Sequence, residues 1–496
     1  MSDVPIERHE WFGQPRGLST LFFTEMWERF SYYGMRSMLF LFMVTAITAP
    51  NPGLGMSKLK AGAIYGLYTS LVYLLALPGG WVADKLWGQK KAVFVGGCII
   101  ATGHFTLALP WTETFYLGLV LIVIGTGLLK PNVSTIVGDL YPEGGARRDS
   151  GFSIFYMGIN LGSFLGQIFC PLIGEKHHWH WGFSLAGFGM VLGLIQYKLG
   201  QRHLAGAGDL KTNDPPDVMS RRARTFYIVT IVALLLVGAF AYLGYTGVIP
   251  IGIDQVAQAL GTAIIVLAIL YFGYLFAAGG YNPTEKKRLV VIFWLFLLAA
   301  LFWSGFEQAG SSMTYFAKEL TNRVFFGWEM PAGMLQNVNA ILIVIFAPIF
   351  GVLWTWLARR NANPSIPVKF ALGLLALGVG FLVLAWGAMQ ATSAAKVSVG
   401  WLTVTYFFHT VGELCLSPVG LSSVTKLAPR DRISQMMGIW FVASALGNLF
   451  AGLMAGSLEN LTPAALFIKV TIYIGVAGVI ALALSPVVKR LMGGIE

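Results

Sequence analysis

Glu25-Met-Trp-Glu28-Arg29-Phe30-Ser-Tyr32-Tyr33-Gly34-Met-Arg36 lies inside an apolar stretch that runs from about Leu18 to Ala46. An ionisable group near a bilayer centre costs roughly 2.5 to 3.5 kcal/mol, so such groups persist where they pair, face a water-filled cavity or carry function. On a helix, Glu25, Arg29, Tyr32 and Arg36 fall at i, i+4, i+7 and i+11 and line one stripe, with Glu28 at its margin. Lipid therefore need not touch them, and the stretch reads as a spanning helix whose polar stripe marks a site.

The 496 residues are 56% hydrophobic and only 11% charged, with a mean hydropathy of +0.68. An ordinary soluble domain is excluded; this is a polytopic membrane protein. A net charge of +11 would suggest nucleic acid in a soluble chain, but loops obeying the positive-inside rule account for it, and no nucleic-acid partner is expected. Cys98, Cys170 and Cys415 are scattered through apolar stretches without C-x-x-C spacing, so neither a disulfide framework nor a zinc site is indicated, and no metal or cofactor is expected. Met1 to Gly17 is polar and has no apolar h-region, so no cleaved signal peptide is evident and Leu18 onward would itself direct insertion.

Apolar runs of spanning length begin near residues 18, 57, 91, 114, 150 and 181, then near 225, 258, 289, 331, 367, 396, 433 and 464, predicting an all-α chain of about fourteen spans. Residues 18–199 form a first six-helix bundle, 200–224 a cytoplasmic linker with Asp209, Lys211, Pro215, Pro216 and the basic cluster Arg221, Arg222 and Arg224, 225–280 two inserted helices, and 287–490 a second six-helix bundle. Threading the chain with a cytoplasmic N-terminus puts about two dozen Lys/Arg on one side and about six on the other, so both termini are expected to be cytoplasmic in a multi-pass protein of the cytoplasmic (inner) membrane. An internal echo, Leu77-Pro-Gly-Gly-Trp-Val-Ala-Asp84 before Lys90 and Lys91 and Ala347-Pro-Ile-Phe-Gly-Val-Leu-Trp354 before Arg359 and Arg360, places one copy in the second helix of each half. Such repeats, with a site between the halves, characterise secondary transporters.

Other apolar spans contain Lys130, Glu307 and Glu413, with Asn160, Gln308 and Asn339 at similar depth. The acids Glu25, Glu28, Glu307 and Glu413 outnumber Arg29, Arg36 and Lys130, leaving one carboxylate without a partner, and an unpaired carboxylate in a low-dielectric site suits proton binding and release. Ion pairs that merely glue helices together are the structural alternative. Acids can hold an ammonium, Arg guanidinium a carboxylate, and Lys adds a point charge, a set that fits a zwitterion such as a peptide. Tyr32, Tyr33, Tyr73, Trp303 and Trp440 could form adaptable walls or could simply pack. Gly125, Gly127, Gly158 and Gly162 suit close helix approach, and Pro131 and Pro418 permit either gating kinks or static bends. His177, His178 and His180, beside Glu175, Trp179 and Trp181, suit an interfacial anchor better than a metal site; His104 and His409 suit satisfied packing better than proton transfer.

The first-helix run resembles the E-x-x-E-R-F-x-Y-Y-G motif of the proton-dependent oligopeptide transporters, a family of the major facilitator superfamily. Phe155-Tyr156-Met-Gly-Ile159-Asn160-Leu-Gly162-Ser163, Gly125-Thr-Gly-Leu-Leu-Lys130-Pro131-Asn132 and Gly412-Glu413-Leu-Cys-Leu-Ser417-Pro418 are similar to its further patterns, so the likeness covers nearly the whole chain. Gly79 to Lys91 resembles the superfamily's cytoplasmic latch, which implies a gating role for Asp84. The two inserted helices and a short loop near Gln390 to Val399 resemble bacterial members rather than animal ones. The resemblance implies a proton-coupled symporter of di- and tripeptides, in which Glu25, Glu28 and Arg29 couple protons and Lys130 pairs with Glu25. It implies that Arg36 and Lys130 face the peptide carboxylate and that Glu413, Asn160 and Asn339 face its amino end. Tyr32, Tyr33, Tyr73, Trp303, Gln308, Ser417 and Trp440 would line the pocket, and Glu307 would pair with Arg36, serve as the protonation switch of the second half and gate with Arg36 and Asp84. Asn339 is followed by Ala340 where many relatives have proline, so that helix is expected to bend less.

The partners expected are peptides, protons and membrane lipid, and the state a monomer. An enzyme is not expected, because no H-E-x-x-H, G-x-S-x-G, C-x-x-C or phosphate-loop motif occurs. A closed net of opposite charges also fits a channel less well than like-charged rings would. A carrier of another zwitterionic or anionic solute, or a membrane protein that senses peptides, is the alternative.

Overall fold

The computed structural model describes residues 10–495 except 144, 213, 393 and 394. These residues are nearly all helical: α1 (Gly17–Val44), α2 (Lys58–Leu74), α3 (Ala76–Val82), α4 (Gln89–Leu107), α5 (Thr112–Asp139), α6 (Gly145–Lys176), α7 (Trp179–Gly200), α8 (Pro216–Tyr245), α9 (Ile253–Ala278), α10 (Pro283–Phe306), α11 (Ser312–Glu319), α12 (Asn337–Arg359), α13 (Ile366–Gln390), α14 (Gly400–Leu427), α15 (Ile433–Gly456) and α16 (Pro463–Leu491). Two of the spans are built from two helices each. α2 continues through α3 and a widened turn at Ala83–Trp87 as one span, Lys58–Trp87, and α10 continues through a tightened turn at Glu307–Gly310 into α11, giving Pro283–Glu319. Sixteen helices with two such mergers make fourteen spans among the described residues, and 11 of them are long and apolar enough by composition alone to cross a membrane. α1 is not one of these, since it carries Glu25, Glu28, Arg29 and Arg36.

Several helices start earlier than their apolar runs, α8 and α10 by the most. α8 begins at Pro216 and α10 at Pro283, because a first-turn proline gives up an N–H that has no helical partner anyway. At α10 a capping box completes the start: the Asn282 side chain accepts from the Glu285 N–H at 2.9 Å, and the Glu285 carboxylate accepts from the Asn282 N–H at 3.0 Å. Arg221, Arg222 and Arg224 therefore stand on α8, not in the linker. Nor is the segment before α8 a free tether. Asp209 pairs with Lys90 at 2.8 Å, and Asp139 accepts from the Gly208 N–H at 3.1 Å and pairs with Lys211 at 3.0 Å. Arg222, donating to Asp214 at 2.7 Å, holds that carboxyl below its usual range.

Contacts divide the chain into two compact units: Met1–Gly34, Leu74–Gly166 and Phe183–Val256 in one, and Met35–Tyr73, Gln167–Gly182 and Ala257–Glu496 in the other. In the first, Gly158, Gly162 and Gly166, spaced i, i+4, i+8 on α6, lie against the backbone of Phe22, Met26 and Phe30 at the same spacing on α1. A Cβ at Gly158 would stand 3.0 Å from the Phe22 carbonyl oxygen, and at Gly162 and Gly166 it would run into the carbonyls of Met26 and Phe30. Gly79 likewise meets the Gly127 carbonyl, the one whose helical donor Pro131 removes.

The second unit repeats the device: Gly62 and Gly66 of α2 meet Gly452 and Gly456 of α15 backbone to backbone. Lipid tails are as apolar as leucine, so helices associate in a membrane through this kind of close packing. α9 buries one stripe there, Gly261, Ile264, Ala268, Phe272 and Leu275, at helical spacing, whereas none of the most apolar window of α8 is buried.

Replacing Gly162 by leucine should force the α1–α6 crossing apart, an overpacking cost of about 1–3 kcal/mol. Thermal unfolding of the purified protein should show a lower transition, while Gly273→Ala, on an open face of α9 with nothing within 4 Å, should leave it unchanged or higher.

Candidate functional site

The polar groups of the first unit gather around Arg29. Its Nε donates to Glu25 Oε1 at 2.7 Å and lies 2.8 Å from Glu28 Oε2, with all three side chains no more than 4% exposed. Helical spacing places Glu25 one turn below Arg29, and the α6 crossing fixes α1 at this level. The Arg29 guanidinium also sits 5.8 Å from the centre of the Tyr32 ring. Lys130, on α5, acts on the charge of Glu28, and neither carboxylate oxygen of Glu28 has a hydrogen-bond donor among the described residues. The Glu28 carboxylate is thus charge-paired but poorly hydrogen-bonded. The Glu25 carboxylate is bonded to Arg29.

In the second unit, Arg36 pairs with Glu307 while its Nε donates to the Tyr65 hydroxyl at 2.7 Å. Glu307 stands where α10 tightens, and the turn is braced by Gln308. The Gln308 amide donates to the Ser304 carbonyl at 3.1 Å and accepts from the Ser312 hydroxyl at 2.8 Å. Gln308 is fully buried and bonded within its own turn, so it positions Glu307. Gly310 completes the geometry, since a Cβ there would collide with the Tyr65 hydroxyl. Nearby, Asn339 donates to Glu413 at 3.3 Å and to Thr410 at 2.9 Å, and the charges of Glu307 and Glu413 act on one another. Two carboxylates, one guanidinium and one amide therefore share this cluster, with Glu413 held by the amide of Asn339.

The remaining expected residues scatter over both units. Tyr32 is buried, with its ring edge against Tyr33 at 5.2 Å. Asn160 donates back to the Tyr156 carbonyl at 3.0 Å. Trp303 is half-buried and packs edge-on against Phe306 at 5.4 Å, its indole N–H without a partner among the described residues. Trp440 is buried against Phe370, and Tyr73 and Ser417 are half-buried. Asp84 lies on the widened turn and accepts from Gln89 at 2.7 Å. α12 runs on through Asn339 and Ala340, and its proline is Pro348.

Some features were not legible. Tyr65 and Thr410 carry no charge and sit in ordinary apolar helices, so only packing reveals them. Glu175 accepts from the backbone N–H of Ala332 at 2.9 Å and of Gly333 at 2.8 Å, closing a helix start. Among its neighbours, Trp179 is buried, donating to the Asn51 carbonyl at 3.1 Å, so it packs inside rather than anchoring at the interface. His104 and His409 are buried but not satisfied: neither His104 nitrogen nor His409 Nε2 has a hydrogen-bond partner among the described residues, and His409 packs on Phe381 at 4.8 Å.

A helical membrane protein with ion-paired clusters buried in its spans is built to move a solute, and the class is a transporter of the major facilitator fold. Residues 90–471 match the model of the POT family, and the chain belongs to that family. It is 40% identical to the peptide transporter YePEPT of Yersinia enterocolitica, over 98% of this chain and 96% of that one, and 36% identical to a di-/tripeptide transporter of Lactococcus lactis over the full length of both. Its fold is similar to a crystal structure of a mutant of the peptide transporter POT in complex with alafosfalin, with 38% identity, a TM-score of 0.89 and 98% of each chain covered.

Glu307→Ala should leave Arg36 buried without its counter-charge, a loss of about 3–5 kcal/mol. Tyr65→Phe removes a hydrogen bond to a charged group and should cost about 1.5–3 kcal/mol. Chemical unfolding of the purified variants checks the order.

Proposed function

We propose that this chain is a proton-coupled symporter that imports di- and tripeptides by alternating access. It would work as a monomer in the cytoplasmic (inner) membrane, with both termini cytoplasmic. The peptide is bound between the halves 18–199 and 287–490, which the linker and the inserted helices join. Its relatives are named for peptide transport, and the Arg36–Glu307 pair is the observation that carries the reading. A guanidinium held by the Tyr65 hydroxyl can, on losing Glu307, turn donors toward a peptide carboxylate.

An incoming proton neutralises Glu307, or the Glu25/Glu28 pair around Arg29, and weakens its bond to Arg36 or Lys130. The freed cation takes the carboxylate, with Lys130 and Arg36 sharing it, while Glu413, Asn160 and Asn339 receive the ammonium. Tyr32, Tyr33, Tyr73, Trp303, Gln308, Ser417 and Trp440 form the pocket walls. Rocking of the halves, gated by Asp84, Arg36 and Glu307, exposes the site inward. Release of proton and peptide then re-forms the ion pairs and lets the empty carrier return.

Glu307→Gln should abolish uphill, pH-driven accumulation of labelled dipeptide in proteoliposomes while sparing counterflow exchange. Undiminished uphill uptake by this variant would remove Glu307 from the coupling step.

A further inference from the structure

A polar cavity lies within the first unit, where the start of α4 meets the end of α7 and the strap at Gly206–Leu210. It encloses about 270 Å³ and is lined by Trp87, Lys90, Lys91, Phe94, Lys198 and Asp209 among others. Three amines thus face one carboxylate. Asp209 is engaged by Lys90 at 2.8 Å, and Lys90 also donates to the Ala205 carbonyl, which leaves Lys91 and Lys198. Neither has a carboxylate within ion-pair distance among the described residues. Each ammonium is held over a ring instead, Lys91 at 5.5 Å from the centre of Trp87 and Lys198 at 5.4 Å from that of Phe94, with Lys198 also donating to the neutral Gln201 Oε1 at 3.5 Å. Cation–π contact of this kind fixes a cation without neutralising it. The Trp87 N–H is occupied by the Tyr227 hydroxyl at 3.1 Å, so the indole is fixed as well.

The helix that carries Lys198 also has an exposed apolar face. Phe188, Leu192, Ile195 and Leu199, at i, i+4, i+7 and i+11 on α7, are between 49% and 70% exposed and end beside Lys198. A small soluble anion would need the lysines but not this stripe. A molecule with an anionic head and long apolar chains would use both, because basic pockets at the ends of membrane helices take phosphate head groups while the chains lie along the helix.

We propose that this cavity is a binding site for one anionic phospholipid, its phosphate held between Lys91 and Lys198 and its acyl chains along the exposed face of α7. Asp209 neutralises Lys90, and with no second acid among the lining residues the site keeps the positive charge of Lys91 and Lys198.

Native mass spectrometry of the full chain, offered equimolar dioleoylphosphatidylglycerol and dioleoylphosphatidylcholine, tests this. The wild-type chain should retain the anionic lipid about tenfold more than the zwitterionic one. The Lys91→Gln/Lys198→Gln double variant should fall to near parity, and the double arginine variant should keep the preference. In the unmodified chain the preference should shrink as salt is raised from about 0.05 to 1 M, a measurement that stands even if the glutamine variant does not fold. Three results would each overturn the proposal: a preference untouched by the glutamine substitutions in folded protein, one untouched by salt, or displacement of the lipid by millimolar inorganic phosphate, which would make the cavity a plain anion pocket.

Discussion

The ion pair between Arg36 and Glu307 constrains much of what surrounds it. A guanidinium and a carboxylate taken out of water are tolerable only when paired and hydrogen-bonded, since removing either partner leaves an uncompensated charge. The local chain is shaped to that end. α10 tightens at Glu307, Gln308 ties that turn to Ser304 and Ser312, Gly310 leaves room for Tyr65, and Tyr65 holds the far side of Arg36. An interrupted helix in a membrane is admissible because side chains take up the backbone groups that the break releases.

The same economy governs the helix crossings. With no hydrophobic drive between helices in lipid, glycine stripes allow backbones to touch, and a stripe also sets depth and rotation. The α6 stripe on Phe22, Met26 and Phe30 fixes the face of α1 on which Glu25 and Arg29 stand. Packing and chemistry are therefore not separable on this helix: a residue added at Gly162 would move a charge.

Much of this was legible in one dimension because charge inside an apolar run is a strong signal. The stripe on α1, the Arg36–Glu307 pair and the glycine approaches at Gly125, Gly127, Gly158 and Gly162 could be read from composition, spacing and family likeness. What failed to show has a common cause. Helix starts at Pro216 and Pro283 precede their apolar runs, because capping and a missing N–H, not hydropathy, set them. Tyr65 and Thr410 look like ordinary packing residues until their hydroxyls are seen against Arg36 and Asn339. His104 and His409 read as satisfied core histidines, yet both His104 nitrogens and Nε2 of His409 have no hydrogen-bond partner among the described residues.

The amino-acid sequence alone determined the membrane-spanning all-α class, the fourteen spans and the set of charges that must find partners, because length, hydropathy and helical spacing are local properties. Which partner each charge finds was decided by tertiary structure. Arg29 serves Glu25 and Glu28 together, Arg36 is shared by Glu307 and Tyr65, and Glu413 rests on the amide of Asn339. The Arg36–Glu307 pair joins residues 271 positions apart and the Asn339–Glu413 bond residues 74 apart, and only the packed helices bring such residues within a few ångströms.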